Sequence, residues 1–460
     1  MSETRRTILF AATAVGLAII AYLVAPSPIT PEAFLDQGEL FFPDFTDPNA
    51  ATTLEVIDYD QATGAARPFK VTFKNGQWTI PSHHDYPADA KDRLAQTAAG
   101  VIDIRKDDFR TDNVSDHEAC GVVDPLDESA AGLSGRGKRV TLRGSGGSVL
   151  ADFIIGNDVS SREGLKFVRV PGRNRVYAAR VDVDISTRFE DWINKDLLEL
   201  GETDIQELVL KDYSINERTL SVEQRDNLVL RRDGDQWTTP GLPSSRVVDS
   251  SAIKDLLTTV DELAVAGVRP KPAGLSSSLQ AEGGENAISR ADQMSLQRKG
   301  YYLSRNGQLL SNEGELQVLT KDGIRYTLRF GEVLIGSGLA VTAGTTEDSP
   351  EEQGQSENRY LFMTADFDST PLGTQPPAPA DENFRSVPDS LWTDEDRSNK
   401  SRADALDQWN RRADNGRELA ANLNSRFAHW YYVISGRDFE KLDLGRSDLI
   451  VAKEDQTTGD

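Results

Sequence analysis

The chain has 460 residues and a formal net charge of −23. That length predicts two or three domains with room for true cores, and that acidity argues against binding nucleic acid or anionic lipid heads. Cys120 is the only cysteine, so no intrachain disulfide can hold the body together.

From the N-terminus, Ile8 to Ala25 (ILFAATAVGLAIIAYLVA) is free of charge, with Arg5 and Arg6 before it and Pro26 and Pro28 after it. At about 1.5 Å per residue, a helix of this run reaches roughly 27 Å, near the lower limit for a bilayer core. No Ala-x-Ala site precedes Pro26, so an uncleaved anchor is favoured over a cleaved signal peptide, which stays the alternative. The paired arginines place their flank in the cytoplasm and the body outside it. Residues 1–25 carry a net +1, which leaves −24 on that body. Residues 26–49, rich in proline and acid, read as a stalk, with Phe41, Phe42 and Phe45 positioned to dock on the body.

Residues 50–200 alternate as strands and turns. Leu54–Tyr59 and Phe69–Phe73 have strand periodicity, and Asn75-Gly76 turns the chain into Gln77-Trp78-Thr79-Ile80, which Pro81 ends. Asp89–Val101 has helical spacing. Arg139–Arg143 and Val149–Ile155 flank Gly144-Ser-Gly-Gly-Ser148, and Phe167–Val170 and Arg175–Ala179 surround Pro171-Gly172. A short helix is expected over Phe189–Leu198. The same order then recurs in residues 201–370. Gln236-Trp237-Thr238-Thr239-Pro240 matches Gln77–Pro81 at an offset of 159, and Lys254–Leu257 matches Lys91–Leu94 at 163. Leu316–Gly331 echoes Val140–Gly156 as strand, glycine turn, strand, glycine. One duplicated domain fits this better than a solenoid. Lys271–Asp292 and Thr342–Asn358 read as mobile polar inserts. Residues 371–400 form a Pro-rich linker with Trp392 as an anchor point. In 401–460, Arg402–Trp430 is predicted as one long helix, its seam running through Leu406, Trp409, Ala413, Gly416, Ala420, Leu423, Phe427 and Trp430. Tyr431–Ser435 and Leu449–Ala452 are extended.

Four stretches carry the residue types of chemistry. Gly132-Leu-Ser-Gly-Arg-Gly137-Lys138-Arg139 has the spacing of a phosphate loop, but Arg139 replaces the hydroxyl that would hold magnesium, and a strand follows where a helix is needed. Gly144–Gly147 joins two strands and fails the dinucleotide pattern likewise. His83-His84-Asp85 offers ligand types without further ligands nearby, and reads as a surface loop. His117 and Cys120 stand at a spacing that allows contact on a helix, without an orienting group, so a buried thiol is expected. Trp78 and Trp237 read as core anchors. No residue is assigned a catalytic, cofactor-binding or metal-binding role, and no cofactor is expected.

The turn–Trp–Pro–helix unit, the Gly-ended strand pair with Phe167-Val-Arg169, and Trp192-Ile-Asn-Lys-Asp-Leu-Leu198 resemble an uncharacterised bacterial family, domain of unknown function 4340. The resemblance spans roughly residues 50–370 in two copies. Members are often encoded beside an ABC transport system resembling gliding-motility export components, and the family supplies no catalytic residues to carry over. The expected fold is α+β: two tandem related sheet-and-helix domains after a single N-terminal transmembrane helix, plus a C-terminal long helix. The apolar run and its arginines give a single-pass protein of the cytoplasmic membrane, anchored through residues 8–25 with its body on the periplasmic side, and the resemblance implies a non-enzymatic accessory or assembly subunit of an ABC-type transport system. Its expected partners are proteins of an envelope complex, not nucleic acid. The alternatives are a hydrolase of an envelope polymer using paired carboxylates, and a purely structural envelope protein.

Overall fold

The computed structural model describes residues 3–24, 35–61, 64–127, 132–160, 162–183, 185–216, 218–219, 221–281, 288–336, 341–343, 356–427 and 429–453. The chain is mixed α+β and divides into two units, Met1–Ile193 and Asn194–Asp460.

The first unit holds one antiparallel sheet. Its strands are β1 (Thr53–Asp60), β2 (Ala65–Lys74), β3 (Gln77–Ile80), β4 (Tyr86–Pro87), β5 (Asp108–Thr111), β6 (Lys138–Arg143), β7 (Val149–Asp158), β8 (Leu165–Arg169) and β9 (Val176–Arg180), in the order β4-β3-β2-β1-β6-β7-β8-β9-β5. The predicted helix spans Lys91–Ile102 and buries Leu94, Ala98 and Val101, the face its spacing specified. Phe41 meets Tyr177 edge-on at 5.3 Å and Phe42 lies 5.5 Å from Phe153, so the stalk's aromatics dock as expected. Residues 25–34 of the stalk lie outside the described residues.

Trp78 is not a core anchor. It stands half-buried on β3, opposite Phe73, near the sheet edge. Trp237 takes the same register in the second unit, opposite Arg232, and is also half-buried. Both tryptophans stand on short strands at or next to the sheet edge, Trp237 on the edge strand β12 and Trp78 on β3 beside the two-residue β4, so little of the sheet covers them, which the local pattern does not reveal. The core tryptophan is Trp192, fully buried against Phe69, with its Nε1–H donated to the Ser186 carbonyl at 3.1 Å. It sits on a 3-10 turn, Phe189–Trp192, in place of the longer helix expected over 189–198.

In the second unit the main sheet comprises β10 (Ile205–Asn216), β11 (Ser221–Asp233), β12 (Gln236–Thr238), β14 (Gly267–Pro270), β17 (Glu315–Thr320), β18 (Ile324–Gly336), β19 (Ser356–Phe367) and β20 (Trp430–Ser435). Two small two-stranded pieces stand apart from it: β13 (Arg246–Val248) pairs with β21 (Ile450–Ala452), and β15 (Tyr301–Leu303) with β16 (Leu309–Ser311). The order is β12-β11-β10-β17-β18-β19-β20-β14. With β4 set aside, this is the order of the first sheet strand for strand. Each has a three-strand meander on one side, a four-strand meander beside it, and at the far edge the strand that follows the helix. Among their register shifts, both sheets share one at the corresponding strand, between Ile155 and Asp158 on β7 and between Phe330 and Val333 on β18. Gly156 and Gly331 occupy those bulges. A Cβ on Gly156 would lie 2.3 Å from the Cys120 carbonyl oxygen, and one on Gly331 would lie 2.2 Å from that of Lys299. In both units, therefore, a helix end passes so close to the bulge that only glycine fits.

The long helix spans Asp394–Phe427, not Arg402–Trp430. Thr393 and Asp396 start it early: the Asp396 amide donates to Thr393 Oγ1 at 3.2 Å and the Thr393 amide to Asp396 Oδ2 at 2.9 Å. Trp430 opens β20 instead. The seam packs inside the second unit, with Ala413, Leu423 and Phe427 buried and Gly416 against the Phe367 ring. Asn424 caps the Ala365 backbone, accepting from its N–H at 2.9 Å and donating to its carbonyl, where β19 runs beyond the end of β20.

The region 271–292 is not uniformly loop. Leu275, Leu279 and Ile288 join Leu296, Tyr301, Leu309, Phe362 and Tyr431 in a core cluster. The helix Arg290–Arg298, capped by Ser289, belongs to the same lobe. Residues 282–287 and 344–355 of the two expected inserts lie outside the described residues. A helix covers Glu3–Val24, where the anchor is expected, with side chains described at Thr7, Ile8 and Phe10–Ile20. Among the described residues, no helix is long and apolar enough to cross a membrane.

Candidate binding cavity of the first unit

Three stretches singled out in the sequence meet at one place. A cavity of about 860 Å³ opens between the helix His117–Cys120, the segment 123–127, the glycine-rich stretch after Gly132, and the β8–β9 turn, with Arg169 and Arg139 in its lining.

The local folding follows from close approaches. The single helical turn ends at Gly121, whose amide bonds the Glu118 carbonyl at 3.0 Å, while the Val122 amide reaches back to that of His117 at 2.9 Å. The chain then pairs with the glycine-rich stretch: the Val123 amide donates to the Gly135 carbonyl at 3.0 Å and the Gly137 amide to that of Val123 at 2.9 Å. A Cβ at Gly135 would lie 2.5 Å from the Glu118 carbonyl oxygen, and one at Gly137 would lie 2.6 Å from that of Gly121. These glycines are spaced for backbone packing, and Lys138 begins β6 directly. The stretch is a loop entering a hairpin, as its sequence indicates. Arg136 holds the adjoining loop through the carbonyls of Asp124, Pro125 and Asp127 at 2.9–3.2 Å.

The two arginines of the lining differ. Arg139 is neutralised: its fork clasps Asp152 at 3.0 and 2.7 Å, and Nη1 reaches Asp124 at 3.1 Å. Arg169 is 7% exposed and binds only main chain, with Nε to the Val122 carbonyl at 2.8 Å and Nη1 to that of Arg173 at 3.0 Å. Among the described residues no carboxylate stands at ion-pair distance from it; Asp124 and Asp127 act through space only. Burial lowers its pKa, yet a guanidinium stays protonated throughout the physiological range.

His117 is buried, and its Nε2 lies 2.8 Å from the Asn174 carbonyl. A carbonyl only accepts, so Nε2 carries the proton and Nδ1 is left as an acceptor. Burial, with Arg169 adding to it, lowers its pKa below the ordinary 6.5, against the Asn174 carbonyl and Asp116. The ring is therefore neutral at pH 7. Glu118 accepts from the Ser134 hydroxyl. Val114 and Leu126 stand at the rim with 57% and 50% of their surface exposed.

The remaining sequence candidates lie elsewhere. Cys120 is 2% exposed and burial pushes its thiol up, so it is a packing residue of the small cluster with Val122, Ile154 and Val176. His83 stacks on Phe189 at 4.3 Å while His84 is exposed, so the pair diverges. The residue that sequence reasoning passed over is Arg169. It appeared only as the end of a strand motif, and its burial depends on Val122 and Arg173 folding over it.

Residues 78–278 match a family model described as Domain of unknown function (DUF4340). The match begins on β3 of the first unit and ends within the second. No curated protein and no solved structure matches the chain.

Proposed function

We propose that this protein, whose residues 78–278 match the DUF4340 family model, is a membrane-anchored, non-enzymatic envelope subunit associated with an ABC-type transport system. The observation that carries the reading is the charge-free run from Ile8, formed as a single helix over Glu3–Val24 with Arg5 and Arg6 in its first turns. Ile8, Phe10, Val15, Leu17, Ile19 and Ile20 of that helix are 54–74% exposed, an apolar surface suited to lipid rather than water. The acidic body keeps such a tethered protein off anionic headgroups. In the cavity Asp124 is paired with Arg139 and Glu118 accepts from Ser134, and a buried cationic Arg169 beside them suits binding an anion better than the polymer-hydrolase alternative.

The second part of the proposal is that the two units descend from one duplicated domain. The shared strand order, the paired tryptophan registers and the glycine-bearing bulges all support it. The test of function is to purify the full-length chain from detergent-solubilised membranes. Recovery of ABC transport components in stoichiometric amount is expected. Recovery of the chain alone, at native expression and after crosslinking, would contradict the reading.

A further inference from the structure

The cavity of the first unit has a counterpart that acts as an internal control. Across the first sheet, Arg139, Ile154 and Arg169 lie in one row over β6, β7 and β8; across the second, Glu315, Arg329 and Phe362 lie in the corresponding row over β17, β18 and β19. The bulges fix this correspondence, since Ile154 and Arg329 each stand two residues before the bulge glycine. At the helix that touches that glycine, Cys120 corresponds to Lys299, and so His117 to Leu296 and Glu118 to Gln297. The second unit also has a cavity beside this helix, about 490 Å³, lined by Leu296, Gln297 and Tyr301. Behind that lining Phe362, fully buried, meets Tyr301 edge-on at 4.8 Å in an apolar cluster. The same architecture is thus built with Phe and Leu where the first unit carries a buried Arg and His. Burying a guanidinium without a counter-charge is unfavourable, and the fold does not require it.

We propose that the first cavity binds a small organic monoanion: a carboxylate seated on Arg169, with an adjacent N–H and an apolar substituent. This rests on the correspondence of the two sheets and not on the anchoring or transport reading. Arg169 has five N–H donors and spends two on carbonyls, which leaves donors in a planar fork that matches a carboxylate. Asp124 and Asp127 add a negative field that disfavours a dianion such as phosphate. Neutral His117 presents Nδ1 as an acceptor, the complement of an amide N–H beside the carboxylate. Val114 and Leu126 offer the apolar body a rim. The volume lies within the range of small-molecule sites, roughly 300–1,000 Å³.

The probe is N-acetyl-L-leucine, with uncharged N-acetyl-L-leucinamide as its control, titrated calorimetrically into the full-length protein in detergent. The acid is expected to bind at least about tenfold more tightly than the amide, a difference of about 1.4 kcal/mol. Arg169→Phe, which installs the residue of the second unit, is expected to fold and to lose the preference. Arg169→Lys should keep part of it, and Leu126→Asp should weaken both probes. Equal binding of acid and amide, absence of binding at millimolar acid, or an unchanged preference in Arg169→Phe would each overturn the proposal. Unfolding of Arg169→Phe with the acid preference intact in wild type and Arg169→Lys would break the correspondence of the units while sustaining the site.

Discussion

Trp192→Ala is expected to destabilise the first unit by about 3–5 kcal/mol, the range for deleting a large buried aromatic. The indole is fully buried, packs on Phe69 at 6.0 Å, and carries the Arg93 guanidinium 5.3 Å from its ring. Its removal leaves a cavity and strips the Ser186 carbonyl of its donor. Trp78→Ala, at a half-buried position one strand in from the sheet edge, should cost only about 1 kcal/mol. Denaturant unfolding of the two variants separates them. Equal losses would mean that β3 is buried in solution in a way its register does not explain.

The second large effect is expected at the long helix. Phe427→Ala should destabilise the second unit by about 3–5 kcal/mol, because Phe427 is 2% exposed and meets Tyr432 of β20 edge-on at 6.3 Å. Tyr432 is itself fully buried. The helix also closes the free edge of β19 through Asn424, so its loss would expose an unpaired strand to aggregation. Leu419→Ala, at an exposed position of the same helix, is the control and should lie within about 0.5 kcal/mol of wild type. A seam reserved for a partner helix would instead leave the isolated chain unaffected by Phe427→Ala.

The sequence was most informative where structure is local. The hairpin at Asn75-Gly76, the helix face of Leu94, Ala98 and Val101, and the Trp–turn match at offset 159 all depend on neighbours within a dozen residues. The sheets themselves depend on more distant pairs. β20 enters the second sheet between β19 and β14 across the linker and the whole long helix, and no periodicity in Trp430–Ser435 names those partners. Offsets diverge for the same reason: β2 matches β11 at 159, whereas Arg169 matches Phe362 at 193, because inserts accumulate between them. That drift hid the contrast between a buried arginine and a buried phenylalanine. The cavity was legible only in fragments. His117 and the Gly132–Arg139 stretch drew attention as failed motifs, and the packing of Gly135 and Gly137 against the helix end brings them to one wall.

The central claim, that an acidic two-unit body is held outside the cytoplasm by its N-terminal helix, is tested most directly by protease accessibility in spheroplasts of cells making the full-length chain with a C-terminal tag. The tag and body should be digested from outside while a cytoplasmic marker survives, and before digestion the chain should sediment with membranes and retain Arg5 and Arg6. A protected body, or a soluble chain whose N-terminus begins near Pro26, would contradict the account.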